Sequence, residues 1–474
     1  LNIDTQFFSF LLPEMVLMIS AIAVLAASFV TTNNRMLGLF AFLGIASALF
    51  LLPTTYNAPG LVFFNMLIND GLAVFFRTIS LIIAALVVLL SIGYQDLEGE
   101  EKGEYYFFIL IITLSMMLAS AAQNLMMIYI ALEAISLLSY ILAGYLKKDM
   151  FSSEAGLKYF LFGALSTGVT LYGISLVYGL SGTLDLANIG GILVAGNVSH
   201  PAVFVAFLLV LVGFGFKCSL VPFHMWTPDV YQGAPTPVAA FLSVGPKAIG
   251  FAFLLRVFVD ALQPVFMASW VGLSAGIAVL TMTIGNVIAM RQDNIKRFLA
   301  YSTIAQAGYM LLGLTVGTPS GTRAVLFYLF IYALMNLSAF GVVIAVANSL
   351  KSERIEDFSG LYQRAPFLGV VLAVSFLSLA GIPPLAGFLA KFFVFAAVVE
   401  KGAVGLVIIA ALNSVVALYY YLKVIGFTFL RKPSQDTPIT HSRILISTLG
   451  FMTLLILVLG LWPHPVLDWL LRLR

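Results

Sequence analysis

The chain has 474 residues, 61% of them hydrophobic and 9% charged, with a formal net charge of +3. Soluble domains carry about 25% charged residues, so this composition excludes a water-soluble globular protein, and the absence of dense basic patches argues against nucleic-acid binding. A single cysteine, Cys218, excludes a disulfide framework and any cysteine-held metal or iron–sulfur centre, and four scattered histidines argue against haem or zinc, so no cofactor is expected on this chain.

Apolar runs of about 20 residues, long enough to cross a bilayer as helices, predict fourteen spans. They lie at 10–30, 36–53, 72–92, 105–122, 124–145, 157–180, 201–220, 236–259, 267–290, 296–316, 323–349, 366–382, 403–430 and 443–461, with the seventh and twelfth interrupted. Charged connectors fall at 95–104, 147–154, 351–364 and 431–443. No cleavable signal peptide is expected, because the N-terminus turns apolar after Asp4 without a basic segment. Alternating the connectors between faces assigns thirteen basic residues, from Arg35 to Arg443, to one side. Only four, Arg323, Lys401, Arg472 and Arg474, fall on the other. This positive-inside bias puts both termini on the non-cytoplasmic side.

Seven basic residues fall inside spans: Arg77, Lys158, Lys217, Lys247, Arg256, Lys391 and Lys423. Glu133 reads as the one acid deep in a span. It lies nine residues past Asn124, roughly 13 Å into the membrane at 1.5 Å per residue. A charge at the bilayer centre costs about 2.5–3.5 kcal/mol on insertion scales, so intramembrane ionisable residues are functional candidates by default. Lys158, Arg77 and Arg256 lie near predicted helix ends, where snorkelling to the headgroups explains the two arginines and is one of two readings for Lys158. Lys423 follows three tyrosines, and an interfacial aromatic belt accounts for it. Glu133, Lys217, Lys247 and Lys391 resist such explanations; a purely structural Glu133–Lys217 pair would leave Lys247 and Lys391 unmatched. Lysine is informative because a buried lysine can give up its proton whereas arginine cannot.

The seventh run, GFGFKCSLVPFHMWTPDV, places Pro222 and Pro228 just after Lys217, and the twelfth, LSLAGIPPLAGFLAKF, places Pro383 and Pro384 before Lys391. Proline removes a backbone donor, and in lipid the freed carbonyls need protein or water partners. Two interrupted helices in corresponding positions of two halves mark the ion path of inverted-repeat transporters. Lys217 to Lys247 spans 30 residues and Lys391 to Lys423 spans 32, which supports a repeat of spans four to eight on nine to thirteen. Glu133 has no acidic counterpart in the tenth span, where Ser302, Thr303 and Gln306 are the polar groups.

Together these residues resemble a known family, the antiporter-like proton-pumping membrane subunits of respiratory complex I, and within it the subunit N type. The resemblance is carried by LLPEM at 11–15, YIALEAISLLSYILAGY around Glu133, EAGLKYFLFGA at 154–164 and PFHMWTPDVYQGAPTPVAAFLSVGPK at 222–247. NIKRFLAYSTIAQAGYM at 294–310 and LSLAGIPPLAGFLAKF at 377–392 complete it. Lys391 disfavours subunit M, which typically has Glu there, and the chain lacks the long lateral helix of subunit L. The sequence departs from the family at Gln306, where many relatives have histidine.

The resemblance implies an all-α polytopic membrane protein of about 14 transmembrane helices, with two inverted five-helix repeats and broken helices 7 and 12. The implied parts are residues 1–104 (helices 1–3), 105–260 (first repeat), 261–430 (second repeat) and 431–474 (helix 14). It also implies conversion of redox energy into proton translocation. Glu133 and Lys217 are then a switching pair, Lys247 the central relay and Lys391 the exit-side group. Glu154 and Lys158 tune the pair, Ser302, Thr303 and Gln306 line the file, and Tyr301, Pro222 and Pro383 support it, with His224 read as structural. FMN, iron–sulfur clusters and quinone are expected in partner subunits. Subunits of the M and K types are expected alongside, in a bacterial inner membrane with periplasmic termini. The alternatives are an Mrp-type cation/proton antiporter subunit and a non-conducting membrane scaffold.

Overall fold

In chain order, the N-terminal helices are α1 (Thr5–Ser28), α2 (Asn34–Leu51), α3 (Gly71–Ser91), α4 (Lys102–Ser120), α5 (Leu125–Ala143) and α6 (Met150–Ser181). The middle of the chain forms α7 (Leu186–Ala195), α8 (His200–Cys218), α9 (Trp226–Gly233), α10 (Thr236–Leu254), α11 (Gln263–Ala289) and α12 (Ile295–Thr315). Then follow α13 (Pro319–Leu350), α14 (Leu361–Arg364), α15 (Pro366–Ala380), α16 (Ala386–Glu400), α17 (Val404–Leu430), α18 (Arg443–Leu461) and α19 (His464–Arg472). This is a computed structural model, and it describes all residues except 1–4, 32, 56–59, 98–101, 197–199, 262, 434–436 and 474. Parts of the connectors at 95–104 and 431–443, and Arg474, therefore lie outside the described residues.

Among the described residues, twelve helices are long and apolar enough to cross a membrane. The other two of the fourteen expected spans are present in altered form. α12 is 21 residues long but carries Lys296, Arg297 and Gln306, and the twelfth span is split into α15 and α16. The sequence reading did not anticipate α7, α19, the π-helical turn Leu255–Ala261 or a small antiparallel hairpin pairing Gly60–Val62 with Leu67–Asn69.

Burial is unequal. The apolar window of α10 is 100% buried and that of α13 is 94% buried, against 28% for α17 and 33% for α1. A helix that is apolar all round belongs in a core, so α10 and α13 form the spine and Lys247 on α10 lies in it. Small residues let the neighbours approach: a Cβ at Gly250, three residues past Lys247, would sit 2.6 Å from Cys218 Sγ and 3.1 Å from Lys217 Cβ.

Both helix breaks follow from local chemistry. α8 ends at Cys218, with Ser219 in the left-handed region at φ 59° and a cis peptide before Pro222. Pro222 has no N–H for the Cys218 carbonyl one turn back. Instead the Trp226 indole donates to the Phe216 carbonyl at 3.0 Å, and the Val221 amide donates to Thr281 Oγ1 at 3.1 Å. At the second break α15 is capped by Gly381 at φ 89°, where a Cβ would be penalised. Pro383 and Pro384, joined by a cis peptide, lack the two N–H groups that would have paired with the Leu379 and Ala380 carbonyls.

Two arginines expected to snorkel do not. Arg77 is fully buried and grips Glu14 with two hydrogen bonds, Nε to Oε1 at 2.8 Å and Nη2 to Oε2 at 2.7 Å, and also donates to the Phe10 carbonyl at 2.9 Å. Arg256 is buried against Asp70, to which it donates at 2.7 and 2.9 Å, and against the Ser120 carbonyl. A planar guanidinium matches a carboxylate two bonds at a time, and that fit inside the protein replaces the headgroup. Glu14, 4% exposed, is thus a buried acid that the sequence reading did not single out. Lys423 does face outward, but Tyr420 and Tyr421 before it are buried. Lys423 is therefore no interior counterpart of Lys247, and the matching lysine spacings do not reflect matching positions.

Candidate functional site

Side chains from α8, α10, α12, α13, α16 and α17, with two backbone carbonyls of α15, build a polar row through the apolar core. Lys217, Lys247 and Lys391 are 3%, 1% and 4% exposed. Lys217, in the last turn of α8, sits among rings: its Nζ lies 5.6 Å from the Tyr159 centroid, 5.8 Å from Phe216 and 6.0 Å from Tyr140, and among the described residues it has no hydrogen-bond partner. Ring quadrupoles attract a cation at such range, so the aromatic box is its main company. The Tyr159 ring is itself held by stacking on Trp226 at 4.3 Å, which ties the box to the first break.

Glu133 departs from its expected place. It is the ninth residue of α5, whose N-cap is Asn124, so its depth is as expected. It is only partly buried, on the side of α5 that carries Ile130 and Leu137, 55% and 51% exposed. Among the described residues it forms no ion pair within 4.0 Å, so Glu133 and Lys217 do not make a contact pair.

From Lys247 onward the polar groups of the row follow one another along α12. Lys247 Nζ donates to the Thr303 carbonyl at 3.2 Å, and Tyr332 donates to Thr303 Oγ1 at 3.0 Å. One turn on, Gln306 is fully buried. Its Nε2 donates to the Leu379 carbonyl at 3.0 Å and reaches the Tyr421 hydroxyl at 3.4 Å, while Tyr328 donates to its Oε1 at 2.5 Å. Ser302 Oγ and the Tyr421 hydroxyl are 2.5 Å apart. Lys391 Nζ donates to the Ala380 carbonyl at 2.9 Å and to Ser414 at 3.3 Å, with its charge 4.4 Å from the Tyr309 ring centre. The carbonyls of Leu379 and Ala380 are the pair left without N–H partners by Pro383 and Pro384. The double proline thus presents two backbone acceptors, one to Gln306 and the next to Lys391.

The supporting residues divide. Glu154 and Lys158 pair at 2.7 Å, and Lys158 also bonds Asp229 at 2.7 Å; Asp229 in turn pairs with Arg297. This partly exposed clasp joins α6, α9 and α12, so Lys158 neither snorkels nor enters the buried row. His224 is buried in the turn between α8 and α9, away from the row's hydrogen bonds. Tyr301 is only partly buried and its hydroxyl joins none of the row's hydrogen bonds; its carbonyl faces Gly285 of α11.

Sequence reasoning missed a second polar cluster beside Lys391. Asn286 donates to Tyr309 at 3.3 Å and to Asn413 at 3.2 Å, and Tyr420 donates to Asn286 at 2.9 Å. It also missed Asn336, which donates to Ser243 at 2.6 Å. The available signal was an amide inside an otherwise apolar span, since such groups need interior partners in a membrane.

Fold and site together define a polytopic all-α membrane protein with a buried lysine row held at two interrupted helices. The family described as NADH:quinone oxidoreductase/Mrp antiporter, TM matches residues 122–417, and the chain belongs to that family. NADH-quinone oxidoreductase subunit N of Trichlorobacter lovleyi is 43% identical over 90% of this chain and 88% of its own length. The protein of the same name from Heliobacterium modesticaldum is 40% identical over 97% and 98%. Among solved structures, a chain of respiratory complex I from Thermus thermophilus superposes with a TM-score of 0.81 at 35% identity, covering 96% of this chain and 98% of that one. A chain of the Mrp complex from Dietzia shares the fold, with a TM-score of 0.85 at 22% identity.

Proposed function

We propose that this chain is an antiporter-like, proton-translocating membrane subunit of the subunit N type in an NADH:quinone oxidoreductase. The observation that carries the reading is the buried row of polar groups from Lys247 through Thr303 and Gln306 to Lys391, set in an otherwise apolar core. The relatives' names and their near-complete coverage support the assembly. Redox chemistry at flavin, iron–sulfur and quinone centres belongs to partner subunits. Neighbours of the M and K types flank the chain in a bacterial inner membrane, with both termini on the periplasmic side. The chain divides into two inverted repeats, 105–260 and 261–430, each holding one broken helix.

In this reading Lys247 takes a proton from the cytoplasmic side and passes it along the hydroxyl and amide groups at 302, 303 and 306. Lys391 receives it at the second break and releases it outward. Glu133 and Lys217 set the field at Lys247 through space, and the Lys158 clasp adjusts that field. Moving one charge against 100 mV takes about 2.3 kcal/mol, which the partner subunits supply through this electrostatic coupling. Reconstituted complex carrying Lys247→Ala tests the assignment: the proton-to-electron ratio falls, and an unchanged ratio overturns it. Sodium-dependent proton flux without a redox partner would instead indicate a cation/proton antiporter, and loss of assembly without loss of pumping per electron a scaffold.

A further inference from the structure

On the face opposite the basic connectors, α13 begins at Pro319, α16 ends at Glu400 and the short α19 packs beside them. α19 is amphipathic: Val466 and Leu470 are buried, whereas Asp468 and Arg472 are exposed. Its Trp469 ring lies 5.4 Å from the Phe75 ring of α3, which pins the helix to the bundle. Helices of this kind rest at the boundary between headgroups and acyl chains. Between α16 and α19 lies a crevice of about 270 Å³, walled by Ala324, Phe393, Ala396, Ala397, Leu467 and Leu471. A second cavity, of about 480 Å³, shares Arg323, Leu470 and Leu471 with the first and is further lined by Leu72, Val259 and Leu326. Arg323 therefore stands between two apolar spaces.

Among the described residues, Arg323 and Glu400 are the only charged groups that line these two spaces. Both are exposed, and they carry opposite charges, yet they make no ion pair within 4.0 Å. Each is instead steadied by an uncharged neighbour. Arg323 Nε donates to the Pro319 carbonyl at 3.2 Å, and Glu400 Oε2 accepts from the Ser320 hydroxyl at 3.0 Å. Among the described residues the terminal guanidinium nitrogens and Glu400 Oε1 have no partner. A guanidinium holds a phosphate through two parallel N–H bonds, and a carboxylate accepts strongly from an ammonium N–H. The complement of this surface is thus a headgroup bearing a phosphate and a primary ammonium, carried on hydrocarbon. A choline headgroup has no N–H to give Glu400, and a glycerol headgroup brings no cation to it. Free phosphate would leave the apolar walls uncovered.

We propose that the junction of α13, α16 and α19 is a binding site for phosphatidylethanolamine of the leaflet away from the basic face. The phosphate sits on Arg323, the ammonium on Glu400, and the acyl chains enter the apolar spaces on either side of the arginine. The site shares no residue with the lysine row, so the inference goes beyond the translocation reading and does not depend on it.

The test uses the assembled complex with a photoreactive p-benzoylphenylalanine in place of Leu471, which lines both spaces and is 49% exposed. The complex is reconstituted into vesicles of equimolar phosphatidylethanolamine, phosphatidylglycerol and phosphatidylcholine and irradiated. Mass spectrometry of the peptide carrying position 471 then identifies what was captured. Phosphatidylethanolamine is captured roughly threefold more than either competitor, the scale of an exposed ion pair. Arg323→Gln lowers capture of both phosphatidylethanolamine and phosphatidylglycerol, and Glu400→Gln removes the preference between those two. The headgroup comparison needs neither substitution, so it decides the matter even where a variant fails to assemble. Capture in proportion to the bulk lipids overturns the proposal, as does equal capture of the choline lipid. A preference that survives both substitutions also overturns it. A captured peptide of a neighbouring subunit in place of lipid would make the crevice a protein contact and equally end the lipid assignment. Lys247→Ala leaves the capture pattern unchanged, which separates this outcome from the fate of the translocation reading.

Discussion

Replacing Gln306 with leucine keeps the side-chain bulk and removes both its donor and its acceptor. Two groups are then left unpaired in a fully buried place: the Leu379 carbonyl, already denied an N–H by Pro383, and the Tyr328 hydroxyl. Each such loss costs about 1–3 kcal/mol, so the variant is destabilised by about 2–6 kcal/mol before relaxation. If only about 2 kcal/mol of this is added to the barrier for proton passage between Lys247 and Lys391, transfer slows roughly thirtyfold, since 1.36 kcal/mol is a factor of ten. The assay is paired: thermal denaturation of the purified complex for stability, and the proton-to-electron ratio in proteoliposomes for transfer. Gln306→His, which keeps a donor and an acceptor, retains most of the ratio, whereas Gln306→Leu drops to the level of Lys247→Ala. A leucine variant that assembles normally and pumps at the unmodified ratio refutes the argument that the file runs through this position.

Other outcomes follow from the same contacts. Arg77→Met strands the Glu14 carboxylate and costs about 3–5 kcal/mol; adding Glu14→Leu recovers most of it, and equal thermal stability of the single and double variants would refute a gripped ion pair. Gly381→Ala forces an L side chain to φ 89° and puts its Cβ 3.0 Å from Lys391 Cδ. Left-handed strain alone costs about 1–2 kcal/mol, so slower proton pumping with intact uncoupled electron transfer is expected. Lys247→Arg preserves the charge but not the ability to release a proton, so pumping is lost while assembly, read by native gel electrophoresis, persists.

Much of this fold was legible from one-dimensional information. Length and hydropathy of the apolar runs gave the spans, because a helix that satisfies its own backbone is the solution lipid permits to a single segment. The proline positions marked both breaks, since a missing N–H acts locally whatever packs around it. The lysines at 217, 247 and 391 stood out because each is isolated in apolar sequence. α12 was recognisable despite its polar residues from the apolar run at 296–316, and the structure adds that Asn294 caps it by accepting from the Lys296 and Arg297 amides.

What the sequence alone settled, then, is where the chain crosses, where it breaks and that Lys217, Lys247 and Lys391 lie inside. Partner choice belonged to the tertiary structure. Arg77 finds Glu14 across 63 residues and Arg256 finds Asp70 across 186, and no periodicity within a helix reports a contact made between helices. The same holds for Glu133, whose depth is set by its place in α5 but whose distance from Lys217 depends on how α5 and α8 are turned. Likewise the tyrosine run before Lys423 splits between the surface and the core, because a helix rotates each successive residue by about 100°. Only packing decided which of those faces met Gln306 and which met lipid.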